Sequence, residues 1–159
     1  MEAHARILVV CTGNTCRSPM AAAALDAALE SGLSVEVVSA GTAAWEGNPA
    51  TELARLVAGR DGIDLEGHRS RRATPELVRS ADWVLVMEPG HLASVRALGA
   101  DPGRSHVLSD WPPPGEPELP IDDPFGGSIE AYEECWRRIR RHVQRAAPHL
   151  LEALRSRSA

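Results

Sequence analysis

Apolar and polar positions fall along the chain in blocks, and the period of each block names an element. Residues 6–10, "RILVV", are a short apolar run rich in β-branched side chains and read as a buried strand. Residues 18–32, "SPMAAAALDAALESG", open on Ser and Pro, continue in strong helix formers and close on Gly, the start and stop signals of a helix. A strand follows at 33–41. A second helix is predicted at 48–62, again between an Asn-Pro start and a Gly stop, and a short one at 74–80 with Thr74 as N-cap and Pro75 at its first position. Residues 81–87, "ADWVLVM", predict a buried strand, 88–99 a helix and 105–110 a last strand. Residues 111–125 carry six prolines, which suit neither a helix interior nor a central strand, so a stiff loop is expected. Residues 128–156 close the chain with a helical period that Pro148 should kink or split.

Strands alternating with helices imply β-α-β crossovers, hence a parallel sheet with helices on both faces. In such sheets ligands bind beyond the carboxyl ends of the strands, which is where Cys11 falls. At 159 residues the chain fits one domain, residues 1–159, large enough to bury a core without disulfides or metals.

Charge and composition remove several function classes. Seventeen basic residues against twenty-two acidic ones give a net charge of −5, so no nucleic-acid partner is expected. The one dense basic stretch, Arg137, Arg138, Arg140 and Arg141, follows Glu133 and Glu134 and reads as a solvated helix face. No apolar stretch approaches a membrane span and the amino end lacks a signal-peptide pattern, so a cytoplasmic protein without a membrane partner is expected. Three cysteines and six scattered histidines show no metal-ligand spacing, and no metal or cofactor is expected.

The informative stretch is "VCTGNTCRSP", residues 10–19. The end of a first strand feeding the amino end of a first helix is an anion site, because free backbone N–H groups and the helix dipole converge there. Gly13 permits close backbone approach and Asn14 tolerates a left-handed conformation. The loop from Cys11 to Arg17 is therefore suited to wrap a tetrahedral oxyanion, with Thr12, Gly13, Asn14, Thr15, Cys16 and Ser18 as the binding candidates. Arg17 offers a planar fork that matches two phosphate oxygens, and the same field favours Cys11 as a thiolate. A thiolate inside a phosphate cradle is a nucleophile aimed at phosphorus, and Ser18 is placed to hydrogen-bond its sulfur. A nucleotide-binding loop of the Gly-x4-Gly-Lys type is excluded because the chain contains no lysine.

"VCTGNTCRSP" resembles the signature of the low-molecular-weight protein tyrosine phosphatase family, and the similarity extends through "SAGT" (39–42), "ADWVLVM" (81–87) and "DPFGGSIEAY" (123–132). The resemblance implies a three-layer α/β sandwich with a four-stranded parallel sheet, no metal, and a two-step reaction through a cysteinyl-phosphate. It also implies that the aspartate of an Asp-Pro pair protonates the leaving group and then activates water. Asp123, followed by Pro124, matches that position, with the adjoining Asp122 as rival. Cys16 corresponds to a neighbour that in the family forms a reversible disulfide with the nucleophile; as the alternative, it is a small apolar filler.

Within this fold the tyrosine phosphatases usually carry a bulky aliphatic residue where Thr15 stands, and two tyrosines where Phe125 and Gly126 stand. Both departures resemble the bacterial protein-arginine phosphatase branch, which acts on phosphoarginine in proteins. Thr15 places a small hydroxyl-bearing group at the pocket wall, and Phe125 is a stacking surface for a guanidinium. The expected partners are thus phosphorylated proteins, with phosphoarginine favoured and phosphotyrosine as the alternative. Arsenate reduction on the same fold needs two further cysteines on a mobile segment, where this chain has only Cys135 in its last helix. Trp45, Trp83, Trp111 and Trp136 read mostly as core or loop anchors, with Trp111, which borders the proline-rich loop, as the candidate for the mouth of the site.

Overall fold

The computed structural model describes residues 4–29, 34–115 and 117–158. Its strands are β1 (His4–Cys11), β2 (Ser34–Gly41), β3 (Trp83–Val86) and β4 (Ser105–Val107). They form one sheet in the order β2-β1-β3-β4, and every pairing is parallel. The helices are α1 (Arg17–Ala28), α2 (Glu52–Arg60), α3 (Pro75–Ser80), α4 (Pro89–Ala97) and α5 (Ile129–Ser158). Among the described residues no helix is long and apolar enough to cross a membrane.

The two-residue period of β1 divides the core in two. Ile7, Val9 and Cys11 face α1, α2 and α5, where they meet Met20, Leu25, Val57, Ile139 and Leu150. Leu8 and Val10 face the other way, against Val78 of α3 and Val95 of α4. Covered on both faces, β1 carries the unbroken apolar run expected of a central parallel strand. Its last residue, Cys11, pairs with Gly41 at the end of β2. A side chain at 41 would place its Cβ 2.4 Å from the Thr12 carbonyl oxygen, so glycine is required for the loop after β1 to pass close by.

Several boundaries differ from those the sequence predicts. α1 begins at Arg17, so Ser18 lies inside its first turn, and the expected stop at Gly32 lies outside the described residues. Asn48-Pro49 does not start α2. Thr51 is the N-cap, its side chain accepting from the Ala54 N–H, while Asn48 is tied into a loop by bonds between its backbone and Ser70. The strand expected at 105–110 ends at Val107 and that at 81–87 spans only Trp83–Val86. Thr74 and Pro75 start α3 as predicted.

Pro148 neither splits nor ends α5, which runs unbroken over Ile129–Ser158. Pro148 and Gln144, whose carbonyl its ring leaves without an in-helix donor, both lie on the exposed side of the helix. The arginines of α5 behave as a solvated face, Arg137 pairing with Glu134, Arg140 with Asp61 and Arg141 with Glu118.

α5 also buries a histidine completely. Arg145 Nη1 lies 3.0 Å from His142 Nδ1, and because arginine only donates, the imidazole proton sits on Nε2. Burial, then the adjacent Arg145, push the His142 pKa down to about 4 from 6.5. The unfolded chain therefore takes up a proton here that the folded chain refuses, and stability falls as pH drops from about 6.5 toward 4. The expected loss between pH 7 and pH 5 is about 2 kcal/mol. Urea midpoints at the two pH values, compared with those of His142→Leu, check this; an identical pH dependence in the variant would show that His142 is not responsible.

Candidate active site

The loop between β1 and α1 is held in shape from behind. Asn14 adopts a left-handed φ of 57°, as its sequence position suggests, and is fully buried. Its amide donates to Ser18 Oγ (2.8 Å) and Ser39 Oγ (2.9 Å), while its Oδ1 accepts from the Arg71 N–H (2.9 Å). Ser18 Oγ, which accepts from Asn14, is hydrogen-bonded to Cys11 Sγ 3.0 Å away, and the Ala40 carbonyl at 3.4 Å is a second acceptor within reach of its hydroxyl hydrogen. Asn14 and Ser18 thus support the loop from its buried side rather than line the cavity.

The cavity in front of the loop has a volume of about 270 Å³. Cys11, Thr12, Gly13, Thr15, Cys16 and Arg17 form its floor, and Trp45, Asn48, Asp123 and Phe125 its walls. Asp122 is not among the lining residues, so of the two adjoining aspartates it is Asp123 that reaches the cavity.

Arg17 is 1% exposed and its guanidinium is divided between two tasks. Nη1 donates to Glu88 Oε2 (2.9 Å) and to the Ile121 carbonyl (2.8 Å). Nη2 is 3.7 Å from Asp123 Oδ2, beyond hydrogen-bond range, and Nε is buried with no partner among the described residues. A buried arginine donor is costly to leave unpaired, and the Nε/Nη2 edge is the one that binds a tetrahedral oxyanion bidentately. The orphaned Nε therefore fits a bound phosphoryl group.

Asp123 is half exposed on the opposite wall and accepts from the Phe125 N–H (3.0 Å), a turn that sets both residues at the mouth. The predicted floor residues and the Asp-Pro loop, more than a hundred positions apart in sequence, thus meet at one cavity.

The structure corrects one aromatic assignment. Trp111 packs against Trp83 and His106, with ring centroids 5.0 and 5.1 Å away, and is absent from the cavity. Trp45 takes the position at the mouth instead and is 81% exposed. Its loop is fastened to residues 70–72: the Gly47 N–H donates to the Ser70 carbonyl, the Ser70 hydroxyl to the Trp45 carbonyl, and the Arg72 N–H to Glu46.

Four further residues support the loop without any local sequence signal. His68 Nε2 lies 2.6 Å from the Asn14 carbonyl, and His91 Nε2 lies 2.8 Å from Thr12 Oγ1. Glu88 holds Arg17 as described. Tyr132, in the first turns of α5, lies 3.3 Å from Cys16 Sγ and accepts from Thr51. Burial raises the pKa of Cys16 and pushes that of Tyr132 up to about 12, so this pair is neutral at pH 7. Cys135 is buried in α5, and burial pushes its thiol up to about 12.

A cysteine at the end of a strand, an arginine six positions on with its open edge toward the same cavity, and an aspartate across it define the site of a cysteine-dependent phosphatase. The family described as low molecular weight phosphotyrosine protein phosphatase matches residues 6–158, and the chain belongs to it. The chain is 37% identical over 145 residues to the low molecular weight protein-tyrosine-phosphatase Etp of Escherichia coli K12, covering 91% of this chain and 93% of that protein. It is 39% identical over 146 residues to the protein-arginine-phosphatase of Geobacillus stearothermophilus, covering 91% and 95%. A solved mutant of the YwlE arginine phosphatase with a phosphorylated active-site serine superposes with a TM-score of 0.82 at 35% identity, covering 91% of this chain and 95% of that one.

Proposed function

We propose that this phosphatase removes phosphate from phosphoarginine in proteins, with Cys11 as nucleophile, Arg17 as phosphoryl clamp and Asp123 as acid and base. The Cys11 thiolate attacks phosphorus, forming the S–P bond as the P–N bond to the guanidine breaks. Asp123 supplies the proton that the departing nitrogen takes up. Asp123 then removes a proton from water, which attacks the cysteinyl-phosphate and releases inorganic phosphate and the thiolate. Throughout, the charge on the transferred group meets the Nε/Nη2 edge of Arg17 and the loop amides.

The observation that carries the arginine reading is Thr15 on the cavity floor. Its hydroxyl stands beside Cys16, 3.9 Å from the sulfur, and its backbone is fixed by the Thr51 N–H donating to its carbonyl (2.9 Å). A short β-branched side chain there leaves room for a branched, planar guanidino group and offers it a polar contact, where a longer aliphatic chain offers neither. Phe125, 67% exposed at the mouth, presents a face on which a guanidinium stacks.

The tyrosine reading is favoured by a different feature. Trp45 and Phe125 both line the cavity, and two aromatic side chains suit a phenyl phosphate as well as a guanidine.

Rates on one preparation for peptides carrying phosphoarginine and phosphotyrosine, with para-nitrophenyl phosphate as control, separate the two. Preference for phosphoarginine is expected. Thr15→Ile is expected to keep the aryl phosphatase rate and to lose about 10²-fold on phosphoarginine. Equal losses on both substrates would deny Thr15 a role in selection.

A further inference from the structure

His91 is buried 79 positions away from Thr12 in sequence and touches the phosphate loop at one atom pair, Nε2 to Thr12 Oγ1 at 2.8 Å. Its other nitrogen has a fixed role as well. The Glu88 N–H at the head of α4 donates to His91 Nδ1 (3.2 Å). A nitrogen that accepts from a backbone N–H carries no proton, so the neutral ring must carry its proton on Nε2 and donate it to Thr12.

The consequence falls on Thr12. A hydroxyl has one hydrogen and two lone pairs; once a lone pair accepts from His91, the hydrogen points elsewhere. Thr12 is exposed on the cavity floor directly after Cys11, and its β-branched side chain has few rotamers, so one hydrogen bond fixes it. The charged groups that reach His91 are Arg17 from α1, Glu88 at the head of α4 and Asp123 from the loop before α5. Burial, then Arg17, hold its pKa below the usual imidazole value against the opposing pull of Glu88 and Asp123, in keeping with a neutral ring.

We propose that His91 is a positioning residue of the phosphatase: by donating from Nε2 to Thr12 Oγ1 it turns the Thr12 hydroxyl hydrogen into the cavity, as a donor to a phosphoryl oxygen of the bound substrate. The proposal rests on the reading of this cavity as the phosphoryl site and holds for either side-chain substrate. Glu88 links the two halves of the device. Its backbone fixes the tautomer of His91, while its carboxylate holds Arg17 at 2.9 Å, so one residue sets both the hydroxyl and the guanidinium that meet phosphate.

The test uses para-nitrophenyl phosphate for kcat and KM and inorganic phosphate as competitive inhibitor. Asparagine puts a carbonyl oxygen where Nδ1 accepts but does not reach Thr12; glutamine puts an amide N–H where Nε2 donates. His91→Asn is expected to raise KM and the phosphate inhibition constant about tenfold with little change in kcat, and His91→Gln to recover most of that loss. Thr12→Val is expected to show the same loss, and the Thr12→Val, His91→Asn double variant no more than Thr12→Val alone. Unchanged phosphate inhibition in His91→Asn, or losses that multiply in the double variant, would overturn the proposal. The ¹⁵N spectrum of the parent protein tests it without any variant: a proton on Nε2 alone is expected at pH 7, and a proton on Nδ1 would sink it. A parent that fails to turn over any phosphate would instead count against the functional reading.

Discussion

Cys11→Ser is expected to lose turnover of every phosphorylated substrate by about 10⁴-fold or more while still binding inorganic phosphate. The two halves of this expectation come from different parts of the site. Binding rests on the loop amides, on Arg17 and on the frame built by Asn14, none of which changes when sulfur becomes oxygen. Turnover rests on an ionised nucleophile, and a serine hydroxyl at position 11 has no base to ionise it. The side chain hydrogen-bonded to Cys11 is Ser18, which is not a base, and His91 is committed to Thr12. Asp123 stands 3.7 Å from Arg17 Nη2 and is not hydrogen-bonded to Cys11. Inhibition of the parent and equilibrium binding of phosphate to the variant give the affinities; para-nitrophenyl phosphate hydrolysis gives the rate. Appreciable turnover by Cys11→Ser would remove Cys11 from the nucleophile's role, whereas loss of phosphate binding together with turnover would mean that the cradle itself had collapsed.

The parts of this site that the sequence announces are those whose chemistry is local. Cys11 and Arg17 stand in one strand-loop-helix unit of fixed geometry, so a spacing of six residues is already a spatial statement. Asp123 is announced only through the resemblance of its Asp-Pro-Phe-Gly-Gly stretch to the family's late loop, since an Asp-Pro pair by itself is an ordinary turn. The supporting shell has no such signature. His91 reaches Thr12 across 79 positions, Arg71 reaches Asn14 across 57 and Tyr132 reaches Cys16 across 116. Each contact exists because β1, at the centre of the sheet, brings its end beside the loops that follow β2 and β3 and beside the start of α5. A histidine with no ligand spacing reads as a surface or core residue until the sheet order places it.

The two tryptophan outcomes follow the same logic. Trp111 adjoins the proline-rich loop in sequence, but an indole has a large apolar area to bury, and Trp83 and His106 offer a stacking partner close by. Trp45 is held out by hydrogen bonds of its loop to residues 70 and 72, a constraint no composition reveals. Pro148 shows the opposite failure. Proline costs a helix one hydrogen bond and a ring clash, and the core packing of Val143, Ala147, Leu150 and Leu154 on either side of Pro148 carries α5 through it.

Arg17→Lys retains the charge and is nevertheless expected to cost about 10³-fold in kcat/KM on any phosphorylated substrate. The guanidinium divides its three nitrogens between two tasks: Nη1 is spent on Glu88 and the Ile121 carbonyl, and Nε with Nη2 is left for the phosphoryl oxygens. A lysine ammonium is a single centre. At this buried position it either stays with Glu88 and Ile121, leaving the phosphoryl group without its clamp, or moves to the substrate and leaves Glu88 uncompensated. Since Glu88 also presents the N–H that fixes His91, the second choice disturbs the Thr12 hydroxyl as well. The loss should therefore appear in both kcat and KM, unlike that of His91→Asn, which should appear in KM. Circular dichroism and a urea midpoint establish that Arg17→Lys remains folded. A folded variant with kcat/KM within tenfold of the parent would mean that positive charge alone suffices, and the division of the guanidinium between anchor and clamp would have to be abandoned.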